Sequence, residues 1–155
     1  MTLEVPAILQ SLSSAGSALS ALTAWTKKAK GDARALIGEL KDNLYYLDMV
    51  TEDGIELAAV VNKLSIAEFK RLSREGYNFN ALEKKKIASY ESLTGTDLSS
   101  WSGKSTEALI ESVFEKLNLL KIKFPRVADD SKYRWSVRVD NIRKRIWLLL
   151  KHVSS

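Results

Sequence analysis

The chain has 155 residues, with 24 Lys and Arg against 19 Asp and Glu, one histidine and no cysteine. Without cysteine, disulfides and thiolate metal sites are excluded, and a single histidine excludes the usual histidine ligand sets for zinc and iron within one chain. Two prolines and seven glycines interrupt the sequence rarely, which favours long helices over a β protein with many turns. We therefore expect one all-α domain over residues 1–155, a compact bundle of roughly five to seven helices with no metal and no cofactor.

The N-terminal segment carries no charged residue between Val5 and Thr26. Its apolar residues recur in steps of three and four and serines fill the opposite side, so we predict one long Ser-rich amphipathic helix over residues 5–30. A helix without a charged face is usually buried, between neighbours in the bundle or against another subunit. Alternatively, its apolar stripe lies in a membrane interface and makes the chain a membrane-surface effector. The stripe consists of Val5, Leu9, Leu12, Ala15, Leu19 and Leu22.

The sequence contains no tract that is apolar enough to predict a transmembrane helix. The start of the chain also lacks the basic region of a signal peptide, because no Lys or Arg precedes Lys27. We therefore expect a soluble protein of the cytoplasm.

Helices are also predicted in the next part of the chain. Asp32 is a suitable N-cap for a long helix, and a short helix is expected within residues 55–64. Ser65 and Glu68 have the spacing of a capping box, which predicts a helix that ends at Gly76. The core stripe of the long helix is expected to be Ile37, Leu40, Leu44 and Leu47.

The region after residue 76 is expected to alternate between helix and loop. Asn80 with Glu83 repeats the capping spacing and predicts a helix through about Tyr90. The Gly- and Ser-rich residues 93–105 indicate a loop, and another helix begins where this loop ends. Pro125 is expected to break the chain after this helix.

The last helix, predicted over residues 131–153, has the clearest amphipathic pattern. The segment 121–153 contains ten Lys and Arg against three Asp, so all the excess positive charge of the chain lies in it. Cations surround nearly the whole polar circumference of this helix, and aromatic and aliphatic residues also project away from its core stripe. That stripe consists of Trp135, Val139, Ile142, Ile146, Leu149 and Val153.

Such a one-ended charge favours binding to an anionic partner. We expect a non-enzymatic interaction or assembly subunit of a larger complex, whose basic helix contacts an acidic protein or nucleic acid, with self-association as a further option. Alternatively, the arginines only pair with acids of the same fold, for example Asp48, Glu52, Glu107 or Glu111. The predicted binding residues are Arg134, Arg138, Arg143, Lys144, Arg145, Trp147, Lys151 and His152.

Arg145 and His152 also allow an enzymatic hypothesis. Their spacing, Arg-x6-His, resembles the Arg-x4-6-His motif of HEPN-type ribonucleases, which are small helical bundles. The resemblance implies metal-independent RNA cleavage in which both residues are catalytic, with a dimer supplying the complete site. It covers these two residues only, and Ile146 stands where the family usually has a polar residue. No other catalytic set is apparent in the sequence.

Overall fold

The computed structural model of the chain describes residues 5–14 and 16–154. All regular elements within these ranges are helical and none of them is a strand, which confirms the predicted all-α bundle. Short 3-10 turns supplement the α-helices. The α-helices are α1 (Gln10–Ser13), α2 (Ser17–Lys28), α3 (Gly31–Glu52), α4 (Leu57–Val60), α5 (Ala67–Arg74), α6 (Thr106–Val127) and α7 (Trp135–Ser154), and the 3-10 turns are Ala7–Leu9, Val61–Lys63, Phe79–Ala81, Glu91–Leu93, Ser99–Trp101 and Ser131–Tyr133.

Helix α7 is the central helix of the bundle. It packs against α2, α3, α6 and the 3-10 turn Ala7–Leu9. All residues from Ile146 to Leu150 are buried, and five consecutive residues cover more than one full turn. The segment from Ile146 to Leu150 is therefore enclosed on every side. The aromatic and aliphatic residues that project away from the core stripe in this segment are covered by the bundle itself. Five members of the predicted core stripe, from Trp135 to Leu149, are buried.

The prediction of a single N-terminal helix over residues 5–30 is wrong, because a break separates α1 from α2. Ser14 is extended (ψ 150°), and Gly16 has the left-handed φ of 79°, which glycine adopts without steric cost. The Ser13 hydroxyl donates to the carbonyl of Gln10 at 2.8 Å, and the hydroxyls of Ser14 and Ser17 lie 2.6 Å apart. Serines that bond locally in this way compete with helical hydrogen bonds.

The apolar stripe of this N-terminal region turns inward. Leu9 and Leu22 are completely buried, and Leu12 and Leu19 are half-buried and pack against the same core. Ala15, the other member of the stripe between them, lies outside the described residues. The stripe is thus used for packing within the bundle. Among the described residues, no helix is long and apolar enough to cross a membrane.

Helix α5 is capped by a residue from another helix. The Glu39 carboxylate of α3 accepts hydrogen bonds from the backbone N–H groups of Glu68 (2.8 Å) and Phe69 (3.0 Å) and from the Ser65 hydroxyl (2.8 Å). The capping box predicted between Ser65 and Glu68 therefore does not form, and Glu39 takes its place. The Glu68 side chain instead accepts a hydrogen bond from Arg71 at 2.9 Å. The helix ends before Gly76, as predicted.

The helix predicted from Asn80 to Tyr90 is also wrong. Only the 3-10 turn Phe79–Ala81 forms, and the chain beyond it pairs with the loop before α6. The backbone N–H of Ile87 donates to the carbonyl of Lys104 at 2.9 Å, and Gly103 donates back to Ile87 at 2.8 Å. The Asn80 side chain accepts from the backbone of Glu107 at 2.9 Å, so its capping serves α6. These long-range bonds satisfy backbone groups that a local helix would have used.

Pro125 does not break the chain at its own position. Helix α6 continues through it to Val127. Proline has no backbone N–H, so one hydrogen bond to a carbonyl of the preceding turn is lost. Because Pro125 lies close to the C-terminal end of α6, the loss affects this single carbonyl.

The Glu39 cap gives a stability prediction. Replacing Glu39 by alanine should lower the free energy of unfolding by about 2–4 kcal/mol, because partly buried donors at the start of α5 lose their acceptor. Replacing Glu68 by alanine should leave this free energy nearly unchanged, since it removes only an exposed pair. Urea denaturation followed by circular dichroism measures both changes. Equal losses in the two variants would contradict a cap formed by Glu39.

Candidate anion-binding site between α6 and α7

A cavity of about 120 Å³ lies between α6 and α7. Its α7 wall comes from positions 135, 138, 141, 142 and 145, which the helical repeat places on one face. Among the described residues that line the cavity, three are cations and none is an acid. The cavity is lined by Lys116, Leu119 and Leu120 of α6 and by Trp135, Arg138, Asn141, Ile142 and Arg145 of α7.

Arg145 is largely enclosed, with a side chain that is 12% exposed. Its Nη1 atom donates to the backbone carbonyl of Asn141 at 3.0 Å and lies 3.7 Å from the Asp97 carboxylate. Its Nε atom is buried and has no hydrogen-bond partner within the described part of the chain. Burial lowers the pKa of the Arg145 guanidinium, and Asp97 offsets this only in part. Arg145 thus offers an unused buried donor.

Lys116 responds electrostatically to the other two cations. Burial lowers the pKa of its ammonium group, and the charges of Arg145 and Arg138 lower that pKa further. Cations that face one another in a confined space repel each other more than in water, because the local dielectric constant is smaller. An anion between them would reverse this repulsion.

Arg138 connects the cavity to a stacked aromatic pair. Its Nε atom donates to the carbonyl of Tyr133 at 2.6 Å, and its guanidinium carbon lies 5.7 Å from the Tyr133 ring centre and 5.6 Å from that of Trp135. The two rings stack with centres 5.3 Å apart and planes 10° apart. The ammonium groups of Lys123 and Lys132 lie 5.5 Å and 5.2 Å from the Tyr133 ring centre. Such distances are typical of cation–π contacts.

These contacts define one continuous region, which we term the cationic surface. Arg138 belongs both to the cavity and to the surroundings of Tyr133, so the two parts adjoin. Within ion-pair distance, only Asp97 (at Arg145) and Asp130 (at Lys132) contact its cations in the described part of the chain. The cationic surface consists of Lys116, Lys123, Lys132, Arg138 and Arg145.

The predicted binding residues fall into two groups in the structure. Arg134 is exposed, and Arg138, Arg145 and Lys151 are half-buried. The other four are buried inside the fold, which corrects their expected exposure. The buried residues are Arg143, Lys144, Trp147 and His152. Arg134 is also the described non-glycine residue with a positive φ, at 48°, where the chain passes from the turn Ser131–Tyr133 into α7.

Arg143 binds acids of the same fold, as the alternative hypothesis expected for Asp48 and Glu52. Its side chain is 6% exposed, and its guanidinium donates to Asp48 at 2.8 Å, to Glu52 at 2.6 Å and to Asp140 at 3.2 Å. Burial works against its charge, but the hydrogen bonds to Asp48 and Glu52 raise the pKa of the guanidinium overall. Arg143 therefore joins α7 to α3 and is not accessible to a partner.

No comparable pairing occurs at the two acids of α6. Within the described ranges, neither Glu107 nor Glu111 forms an ion pair. Burial and the nearby charges of Glu107 and Glu115 raise the pKa of Glu111.

Arg145 and His152 lie in separate surroundings. His152 is 1% exposed, and its Nε2 atom lies 2.7 Å from the Thr106 hydroxyl. That hydroxyl donates its proton to the carbonyl of Glu83 at 2.7 Å, so Nε2 acts as the donor to Thr106. His152 does not line the cavity at Arg145, and seven helical residues separate the two by roughly 10 Å along the axis. This arrangement lends no support to a shared ribonuclease site.

Lys116 was not predicted as a site residue, although the pattern of α6 contains a signal for it. It lies three residues after Val113 and four before Leu120, both of which are buried. A lysine in this position flanks the core stripe and extends along the neighbouring helix. The sequence does not say which helix that neighbour is.

Comparisons with known proteins give no relative for this chain. No protein-family model, no curated protein and no solved structure matches it. Residues 5–14 and 16–154 also contain no group of three or more His, Asp or Glu side chains placed to hold a metal ion. The candidate site therefore has to be interpreted from its own geometry.

The Arg143 cluster predicts a large stability effect. Replacing Arg143 by leucine should lower the free energy of unfolding by about 3–5 kcal/mol, because it leaves the partly buried Asp48 and Asp140 uncompensated. Replacing the exposed Arg126 by leucine should change it by no more than about 0.5 kcal/mol. Chemical denaturation of both variants measures the difference. A loss below 1 kcal/mol at Arg143 would show that the cluster is not a structural requirement.

His152 predicts a pH dependence of stability. Burial lowers its pKa below the usual 6.5, while Glu83 and Lys85 act in opposite directions. Near and below pH 6.5 the unfolded chain therefore binds more protons than the folded one, and stability falls as the pH falls. Urea midpoints measured from about pH 7.5 to about pH 5.5 should decline more steeply for the wild type than for His152→Gln. Parallel declines would rule out this contribution.

Proposed function

We propose that this chain is a non-enzymatic interaction protein, a subunit of a larger assembly, that binds an acidic segment of a partner protein at the cationic surface. The observation that carries this proposal is the convergence of five cations on one region where, among the described residues, only Asp97 and Asp130 lie at ion-pair distance. Complementary charge accelerates association and selects the partner. A stretch of Asp and Glu side chains supplies that complementary charge.

The buried state of the aromatic residues favours a protein partner over nucleic acid. Proteins that bind single strands stack bases on accessible aromatic rings. Trp147 is 4% exposed and Trp135 is 9% exposed. The ring of Tyr133 is stacked on Trp135 and surrounded by three cations. Acidic side chains need only the cations and can bind without a free ring.

The proposed function predicts salt-dependent binding of an acidic peptide. A fluorescein-labelled glutamate-rich peptide should bind the protein, with an affinity that falls as NaCl is raised, because exposed charge interactions are screened. The double variant Lys123→Gln/Lys132→Gln should weaken this binding by about tenfold, which corresponds to about 1.4 kcal/mol. Fluorescence anisotropy titrations measure both effects.

The matched control is Lys27→Gln/Lys28→Gln, which removes the same charge from the end of α2. This control should retain the wild-type affinity within about twofold, since these lysines lie outside the cationic surface. An equal loss in both double variants would mean that only net charge matters and would refute a defined site. Tighter binding of a single-stranded oligonucleotide of equal charge would indicate that the partner is a nucleic acid and not a protein. Absence of peptide binding at low salt would overturn the proposal.

A further inference from the structure

We infer that the cavity between α6 and α7 binds a phosphomonoester group. This inference deepens the proposed function and rests on it, because the acidic partner would carry the group on a phosphorylated side chain. Lys123 and Lys132 lie outside the cavity and would contact the acidic residues that flank it. Lys116, Arg138 and Arg145 line the cavity and would contact the phosphate itself.

The charge of the cavity fits a dianion. One arginine is enough for a carboxylate, which carries a single charge. Here Lys116, Arg138 and Arg145 line the same space, and the lining contains no acid from the described part of the chain. A phosphomonoester carries about −1.5 to −2 at neutral pH. It therefore compensates the mutual repulsion of three cations better than a carboxylate or a phosphodiester does.

The hydrogen-bond donors also fit a phosphate. The buried Nε of Arg145 has no acceptor in the described ranges of the chain. The Lys116 ammonium has three donors, and the side-chain amide of Asn141 lines the same space. A phosphomonoester presents three strong acceptor oxygens. Side chains that carry these donors thus line one small volume from both helices.

The size and the apolar walls of the cavity indicate an ester and not a free ion alone. A volume of about 120 Å³ exceeds the roughly 10–15 Å³ that one water needs in the same measure, so a five-atom phosphate fits. Leu119, Leu120 and Ile142 form the apolar part of the lining. They can contact the carbon atoms that follow the ester oxygen. Phosphate recognition by clustered basic residues is a recurrent mode of peptide binding.

Two peptides of identical acidic sequence test the inference, one with a single phosphothreonine and one with threonine. In anisotropy titrations, phosphorylation should increase the affinity of the wild type by at least about tenfold, a gain of about 1.4 kcal/mol. Arg145→Gln and Lys116→Met should abolish this gain, so that each variant binds the two peptides with equal affinity, whatever it loses towards the unphosphorylated peptide. Lys123→Gln/Lys132→Gln should weaken both peptides by the same factor. Lys28→Gln should change neither affinity.

A second measurement on the wild type avoids dependence on the folding of variants. In heteronuclear NMR spectra, the side-chain amide of Asn141 and the Nε–H of Arg145 should shift on addition of free phosphothreonine and not on addition of acetate. Inorganic phosphate should compete for the same signals. These shifts locate the anion at the cavity without any substitution.

The outcomes separate the two proposals. Equal affinities for both peptides, with no shift at Asn141, would overturn the phosphomonoester inference and leave the acidic partner intact. Shifts with free phosphothreonine in a protein that binds neither peptide would support the phosphate chemistry of the cavity, assign it to a small phosphorylated molecule and overturn the proposed function. Loss of the phosphorylation gain in Lys28→Gln as well would refute a site confined to α6 and α7.

Discussion

The charge of Arg143 is the constraint on which the arrangement of the bundle depends. The charge of a side chain that is only 6% exposed has to be compensated within the protein, since an unpaired buried charge costs several kcal/mol. Asp48 and Glu52 of α3 and Asp140 of α7 provide this compensation at 2.6–3.2 Å. The contact determines both the position of α7 along α3 and its rotation about its own axis. The five consecutive residues from Ile146 to Leu150 are then buried on all sides of the helix.

The rotation of α7 also determines where its other arginines lie. Residues two apart on a helix are separated by about 200°, so Arg145 points away from α3 when Arg143 points towards it. Arg138, Asn141 and Arg145 share the face towards α6 and line its cavity. One basic helix thereby contains arginines with different roles. Arg143 stabilises the fold, whereas Arg138 and Arg145 leave donors and charge for the proposed partner.

Local patterns in the sequence predicted the fold well where neighbouring residues decide the structure. The stripe of α7, the end of α5 before Gly76 and the all-α class follow from periodicity and helix-terminating residues. The cap of α5 did not, because its acceptor Glu39 lies 29 residues before Glu68. The candidate site was predictable only in part, since a helix with cations around its circumference does not reveal which of them its neighbours will cover. Arg138 and Arg145 remained accessible, and His152 did not.

The left-handed conformation of Arg134 has a consequence for the aromatic pair beside it. In a continuous helix, Tyr133 and Trp135 would point in nearly opposite directions, because side chains two residues apart do not face each other. The reversal at Arg134, with φ 48° and ψ 59°, lies between them, and their rings stack with planes only 10° apart. Lys123, Lys132 and Arg138 all gather on the ring of Tyr133. A single unusual pair of backbone angles therefore organises where positive charge concentrates on the surface of the protein.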